Sequence, residues 1–232
     1  MKKIILSLLI IAVNAAAFSQ TAKDEDTFQK ATNYFFQKKF EMAELLLQEV
    51  IRKEPENEAA YSYLGDIYLN KRQYDGALNL YNRALELNPN SAENYFRIGQ
   101  IYYYKKIGMV SVENYNRALA IDPKLKIVYY HRGLTFLMVM RDKERTIQDW
   151  QTYINLAPED PQYESIRRVI ELLKDPNFRI PPEGSDVSIE EALLLGGATL
   201  ETKERESENK KAGHEDKKSS DIIEDIYLDD EM

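Results

Sequence analysis

Through the middle of the chain, small and apolar residues recur three and four positions apart. One stretch carries Tyr61, Leu64, Gly65 and Tyr68; the next carries Tyr74, Ala77, Tyr81 and Ala84 and stops at Pro89. This spacing puts each set on one face of a helix, so the two stretches predict a pair of amphipathic helices. The pair returns every 34 residues, in the columns Tyr61, Tyr95, Tyr129; Gly65, Gly99, Gly133; Tyr34, Tyr68, Tyr102; and Pro55, Pro89, Pro123. Tyr81 to Pro89 (YNRALELNP) and Tyr115 to Pro123 (YNRALAIDP) are near copies at the same separation. A fixed period of this length marks an array of helical units.

The residue types in these columns have mechanical reasons. Gly65 and Ala77 remove bulk where paired helices cross, so the axes can approach at the short end of the usual range of about 8–10 Å. Tyrosines fill the space beside them. Pro89 lacks an N–H and biases the residue before it away from helix, which ends one unit and turns the chain into the next.

The columns resemble the tetratricopeptide repeat, a helix-turn-helix unit of this length. The register gives repeats at Asp24 to Asn57, Glu58 to Ser91 and Ala92 to Leu125. A degenerate fourth copy keeps Tyr129, Gly133 and Phe136, then needs one extra residue to place Thr146, Trp150, Tyr153 and Pro158. The third repeat has Gly108 and Ser111 where the family has an aromatic residue and an alanine. Because glycine costs about 1 kcal/mol in a helix interior, its second helix is expected to start late or fray. Tyr163 to Lys174, with Ile166, Val169, Ile170 and Leu173 at helical spacing, reads as a capping helix over the last apolar face. The implied fold is all-α: a right-handed superhelical solenoid over residues 24–174, of about nine helices.

The two ends differ in kind. Residues 1–19 hold two lysines, an apolar run from Ile4 to Val13 and then Ala15-Ala16-Ala17. That is the layout of a bacterial secretory signal peptide, with cleavage after Ala17 or Ser19. The apolar run is short of the roughly 20 residues that span a bilayer, although a retained inner-membrane anchor is the alternative. The chain has no cysteine, which excludes a lipoprotein anchor, disulfides and thiolate-held metals.

At the other end, residues 175–232 read as a proline-containing linker and an acidic tail. Glu183 to Met232 holds 16 acidic and 6 basic residues, a net of −10, against −8 for the whole chain. Residues 175–184 carry Pro176, Pro181 and Pro182 and are expected to form an extended linker. Residues 199–220 contain almost no large apolar side chain and are expected to be disordered. Ser188-Ile189-Glu190-Glu191 has capping-box spacing, which predicts a short helix ending near Gly196-Gly197. Near the C-terminus Ile222, Ile223, Ile226 and Tyr227 would form one apolar face among acids, a motif able to fold in a groove and a route to self-association.

Catalytic and metal chemistry find little support. The two histidines are His131 and His214, with no ligand-like spacing around either, and His131 is expected in a groove or on a helix surface. No phosphate loop, nucleophile elbow or cofactor motif occurs, so the chain reads as non-enzymatic and without cofactor. A near-neutral repeat region with an acidic tail argues against nucleic acid as a partner.

The resemblance implies a concave face lined by first helices. By register this groove includes Phe35, Phe96, Gln100, Tyr103, Tyr104, Tyr130 and Leu134, rich in aromatics and poor in charge. Family members that clamp a carboxyl terminus use Lys, Asn and Arg there; here Arg97 alone matches, which disfavours a carboxylate clamp. The expected function is capture of a partner peptide or helix by a scaffold of the bacterial envelope, exported to the periplasm or secreted. The alternative is a structural subunit that packs through repeat edges or tail, with the groove unused.

Overall fold

The computed structural model describes residues 27–197, and these form ten α-helices with no strand among them. In chain order they are α1 (27–36), α2 (Phe40–Lys53), α3 (Glu58–Asn70), α4 (Tyr74–Leu87), α5 (Ala92–Tyr104), α6 (Gly108–Ile121), α7 (Lys126–Met138), α8 (Lys143–Leu156), α9 (Tyr163–Lys174) and α10 (189–197). The chain divides into two compact units, the first ending at Arg97 and the second beginning at Ile98. The expected signal peptide, the tail from residue 198 and its Ile222, Ile223, Ile226 and Tyr227 lie outside the described residues.

The glycine column corresponds to one recurring contact. A Cβ on Gly65 would lie 2.7 Å from the Tyr81 ring, one on Gly99 2.5 Å from Tyr115, and one on Gly133 2.5 Å from Trp150. The glycine is therefore the space that the second helix's large aromatic fills. In the first repeat the same places hold Ala31 and Leu47, both fully buried, so a smaller partner coexists with a Cβ. The Tyr68 ring lies where a Cβ on Gly76 would be, 2.5 Å away. Tyr61 and Tyr129 donate their hydroxyls to the carbonyls of Pro55 and Pro123, at 3.3 and 3.2 Å, tying each first helix to the turn before it.

The turns inside the pairs repeat one geometry. Lys39 N–H donates to Tyr34 O and Lys38 N–H to Phe35 O; Gln73 and Arg72 do the same to Tyr68 and Leu69, and Ile107 and Lys106 to Tyr102 and Tyr103. These are Schellman closures, which need a left-handed residue just past the helix. Lys38, Arg72 and Lys106 take it at φ of 58°, 57° and 58°. In the fourth pair the extra residue enters this turn: Arg141 is left-handed at φ 55° and Asp142 N–H reaches back to Phe136 O.

The second helix of the third repeat neither starts late nor frays. It begins at Gly108, one period after Tyr74, and runs to Ile121. Gly108 occupies the first helical position rather than the interior, so the interior penalty does not apply. A Cβ there would lie 2.8 Å from Met140 Cγ. Ser111 is buried and donates to Gly99 O at 2.8 Å, and Thr146 donates to Gly133 O at 3.3 Å from the matching place. In both places a hydroxyl that hydrogen-bonds the glycine carbonyl stands where the second repeat has the Ala77 methyl.

Residues 175–184 depart further from expectation, whereas the short helix predicted from the capping box forms over 189–197. The segment expected as a linker is held against the second unit: Lys143 Nζ donates to the carbonyls of Asp175 and Phe178, both at 3.2 Å, and Arg141 Nε to Pro181 O at 3.0 Å. The capping box forms reciprocally, Glu191 N–H to Ser188 Oγ at 3.1 Å and Ser188 N–H to Glu191 Oε2 at 2.8 Å. The helix it starts buries Ile189 and Leu193 in the core that holds Trp150, Ile166 and Leu173, with Phe178 and Ile180 packed on it.

Candidate functional site

In the first unit, α1 and α3 bring together Phe28, Phe35, Phe36 and Tyr63. Phe35 meets Tyr63 edge-on at 5.0 Å and Phe36 at 5.6 Å, while Phe36 and Phe28 each meet Tyr63 at 6.0 Å. Mutual edge contacts fix these rings at little further cost in rotamer freedom. Phe36 is 70 % exposed, the others are half-buried, and Phe35 also packs on the core around Leu47 and Leu64. A large ring left open on a preorganised aromatic base has the character of a binding anchor.

The same unit also holds a polar cluster. The buried Tyr81 hydroxyl donates to Asp66 Oδ1 at 2.6 Å, and Arg97 Nε lies 3.0 Å from the same oxygen. Burial raises the Asp66 carboxyl above its usual value, opposed by Arg97 and the Tyr81 hydrogen bond. Burial and the adjacent Asp66 push Tyr81 well above the ordinary tyrosine range. Arg97 is thus committed to Asp66 within the fold, which removes the one residue that matched a carboxylate clamp. Ser62, Glu58 and Asn94 form a second hydrogen-bonded set, with Asn94 Nδ2 donating to Glu58 at 2.8 Å.

Most of the groove residues expected from the register are buried. Phe96, Gln100, Tyr103, Tyr130 and Leu134 are buried, none more than 7 % exposed; Phe35 and Tyr104 are half-buried. In the second unit Tyr103, Tyr130 and Leu134 share one core with Ile189 and Leu193 of α10, and Tyr130 stacks at 6.1 Å on Trp150, whose Nε1 donates to Tyr130 O at 3.0 Å. There the aromatics serve packing. His131 is buried and edge-on to Tyr130 at 5.2 Å, not a groove or surface residue. By register Phe28 and Phe36 also fall in lining columns and Tyr63, two residues past the Tyr61 column, in a clamp place; what the register did not show is that these rings meet one another.

A cleft of about 470 Å³ lies in the second unit between the α5–α6 turn, the α7–α8 turn and residues 181–190. Lys106 and Arg141 line the side of the turns, Glu183 and Glu190 the side of the later segment, and Met138, Val139 and Val187 contribute apolar surface. Among the described residues no group of three His, Asp or Glu could hold a metal ion, and no helix is long and apolar enough to cross a membrane.

Residues 65–105 match the family model described as TPR repeat. The structure is similar to a crystal structure of MamA, at 19% identity and a TM-score of 0.56, over 79% of this chain and 97% of that one. It is similar also to the MamA RS-1 ArsTM double mutant, at 19% identity and a TM-score of 0.59, over 83% and 98%. A comparison with curated proteins finds no match. At this identity the likeness establishes the fold.

Proposed function

We propose that this chain, built on the tetratricopeptide-repeat fold, is a non-catalytic interaction scaffold of the bacterial cell envelope that captures an apolar or helical segment of a protein partner on the aromatic surface of its first unit. The carrying observation is Phe36, exposed yet braced by Phe35 and Tyr63. Burying one such ring is worth about 1.5–3 kcal/mol, and aromatic anchors of this kind dominate interface energies. Export to the periplasm follows from the signal-like layout of residues 1–19.

A second reading, a structural adaptor that packs through its repeat edges, is favoured by the exposed Lys38 and Arg72 at the left-handed turns. Capture from envelope extracts with the mature chain separates the two. Phe36→Asp removes the partner if the aromatic surface holds it; Lys38→Glu with Arg72→Glu removes it if the edge does. An unchanged melting temperature for each variant excludes misfolding. Retention of the partner by Phe36→Asp overturns the first reading.

A further inference from the structure

The cleft of the second unit has a polarised lining that the proposed scaffold role does not use. Its basic side is made by Lys106 and Arg141, both in the left-handed conformation. That conformation costs a residue with a Cβ about 1–2 kcal/mol, and glycine takes it freely. A basic side chain stands there in all four turns. Arg141 also reaches the later segment through Pro181 O at 3.0 Å, and Met138, Val139 and Val187 add apolar surface to the lining. The cleft thus asks for a ligand with acids along one face and aliphatic groups along another.

The chain carries such a segment. Asp221 to Asp230 (DIIEDIYLDD) has acids at Asp221, Glu224, Asp225, Asp229 and Asp230, no base, and Ile222, Ile223, Ile226 and Tyr227 between them. We propose that the cleft binds this segment of its own chain, with the acids toward Lys106 and Arg141 and the isoleucines on Met138 and Val139. Glu183 and Glu190, which the later segment adds to the lining, set that direction, since placing the acids against them would oppose like charges.

Reach favours an intramolecular complex. Ile189 lines the cleft and the described helix continues to residue 197, a rise of about 12 Å at 1.5 Å per residue. A chain of the 24 residues from Gly197 to Asp221, if it has the extension its polar composition implies, would span about 27 Å, at roughly 5–6 Å times the square root of length. The tether therefore covers the distance and holds the segment near millimolar effective concentration, so weak affinity suffices. The cleft opens when a tighter acidic-apolar ligand competes.

Amide hydrogen exchange on the full-length chain tests this. Ile222→Asp with Ile226→Asp should raise exchange at residues 184–187 and 105–109 at least twofold while leaving α3 unchanged. Lys106→Glu in the intact chain should do the same, and so should about 0.5 M salt, through screening. Unchanged exchange at both places in both variants overturns the proposal. Protection that disappears on dilution overturns the intramolecular form, because it assigns the segment to a neighbouring copy.

Discussion

Gly99 and Tyr115 show at the scale of single residues why the columns repeat. The Tyr115 ring is fully buried and stands where a Gly99 Cβ would go, 2.5 Å away, so neither can change alone. Gly99→Ala should lower stability by about 1–3 kcal/mol, the usual cost of overpacking, read as a drop in melting temperature. Tyr115→Leu should recover part of that loss in the double variant, because Ala31 and Leu47 already occupy these places in the first repeat; strictly additive losses would refute the coupling. Asp149 offers a second test. Arg132 holds it bidentately at 2.6 and 2.8 Å, yet burial outweighs the arginine and raises the carboxyl above 3.8. Just above pH 3.8 the folded protein then binds more protons than the unfolded chain. The contribution of this group is complete below 3.8 and is lost as pH rises through the folded value. Relative to Asp149→Asn, the protein should therefore gain stability in urea titrations as pH falls from 7 toward 4, and the opposite slope would mean that Arg132 outweighs burial.

Among the elements, the helix pairs were legible in the sequence because their packing is periodic, and the departures were not, because each depends on one local circumstance. The late start expected of α6 failed since glycine at a first helical position is not an interior glycine. The left-handed turns were not legible, because Lys38, Arg72, Lys106 and Arg141 are residue types that give no turn signal. Their strain makes a prediction: Lys38→Gly and Arg72→Gly should each stabilise the fold by up to about 1 kcal/mol in thermal melts, and a loss instead would mean that the side chains hold the turns. Residues 175–197 read as linker and short helix because the capping box is local, whereas the anchoring by Arg141 and Lys143 is distant in sequence. Leu193, 2 % exposed, measures how firmly this segment belongs to the fold. Leu193→Ala should cost about 2 kcal/mol or more, and a neutral effect would leave the segment as a loosely held appendage.

For the molecule as a whole, register identified which side chains share a face but not which faces stay open. In the second unit the expected groove residues Tyr103, Tyr130 and Leu134 are core, closed in company with Ile189 and Leu193 from far along the chain. In the first unit Phe36 remains exposed, and the candidate surface contracts to α1 and α3. How that surface is presented depends on the processing of the N-terminus. The apolar run Ile4 to Val13, the lysines before it and Ala15-Ala16-Ala17 after it predict removal of the first 17 or 19 residues on export. Cleavage after Ser19 would leave eight residues, Gln20 to Thr27, ahead of Phe28, too few to shield the rings with a stable element of their own. Intact mass of the protein recovered from its native host should therefore show a chain starting at Phe18 or Gln20. A mass that retains Met1 to Ser19 would overturn cleavage and make residues 1–19 an anchor, with the aromatic surface held close to the membrane and its partners restricted to those that reach it there.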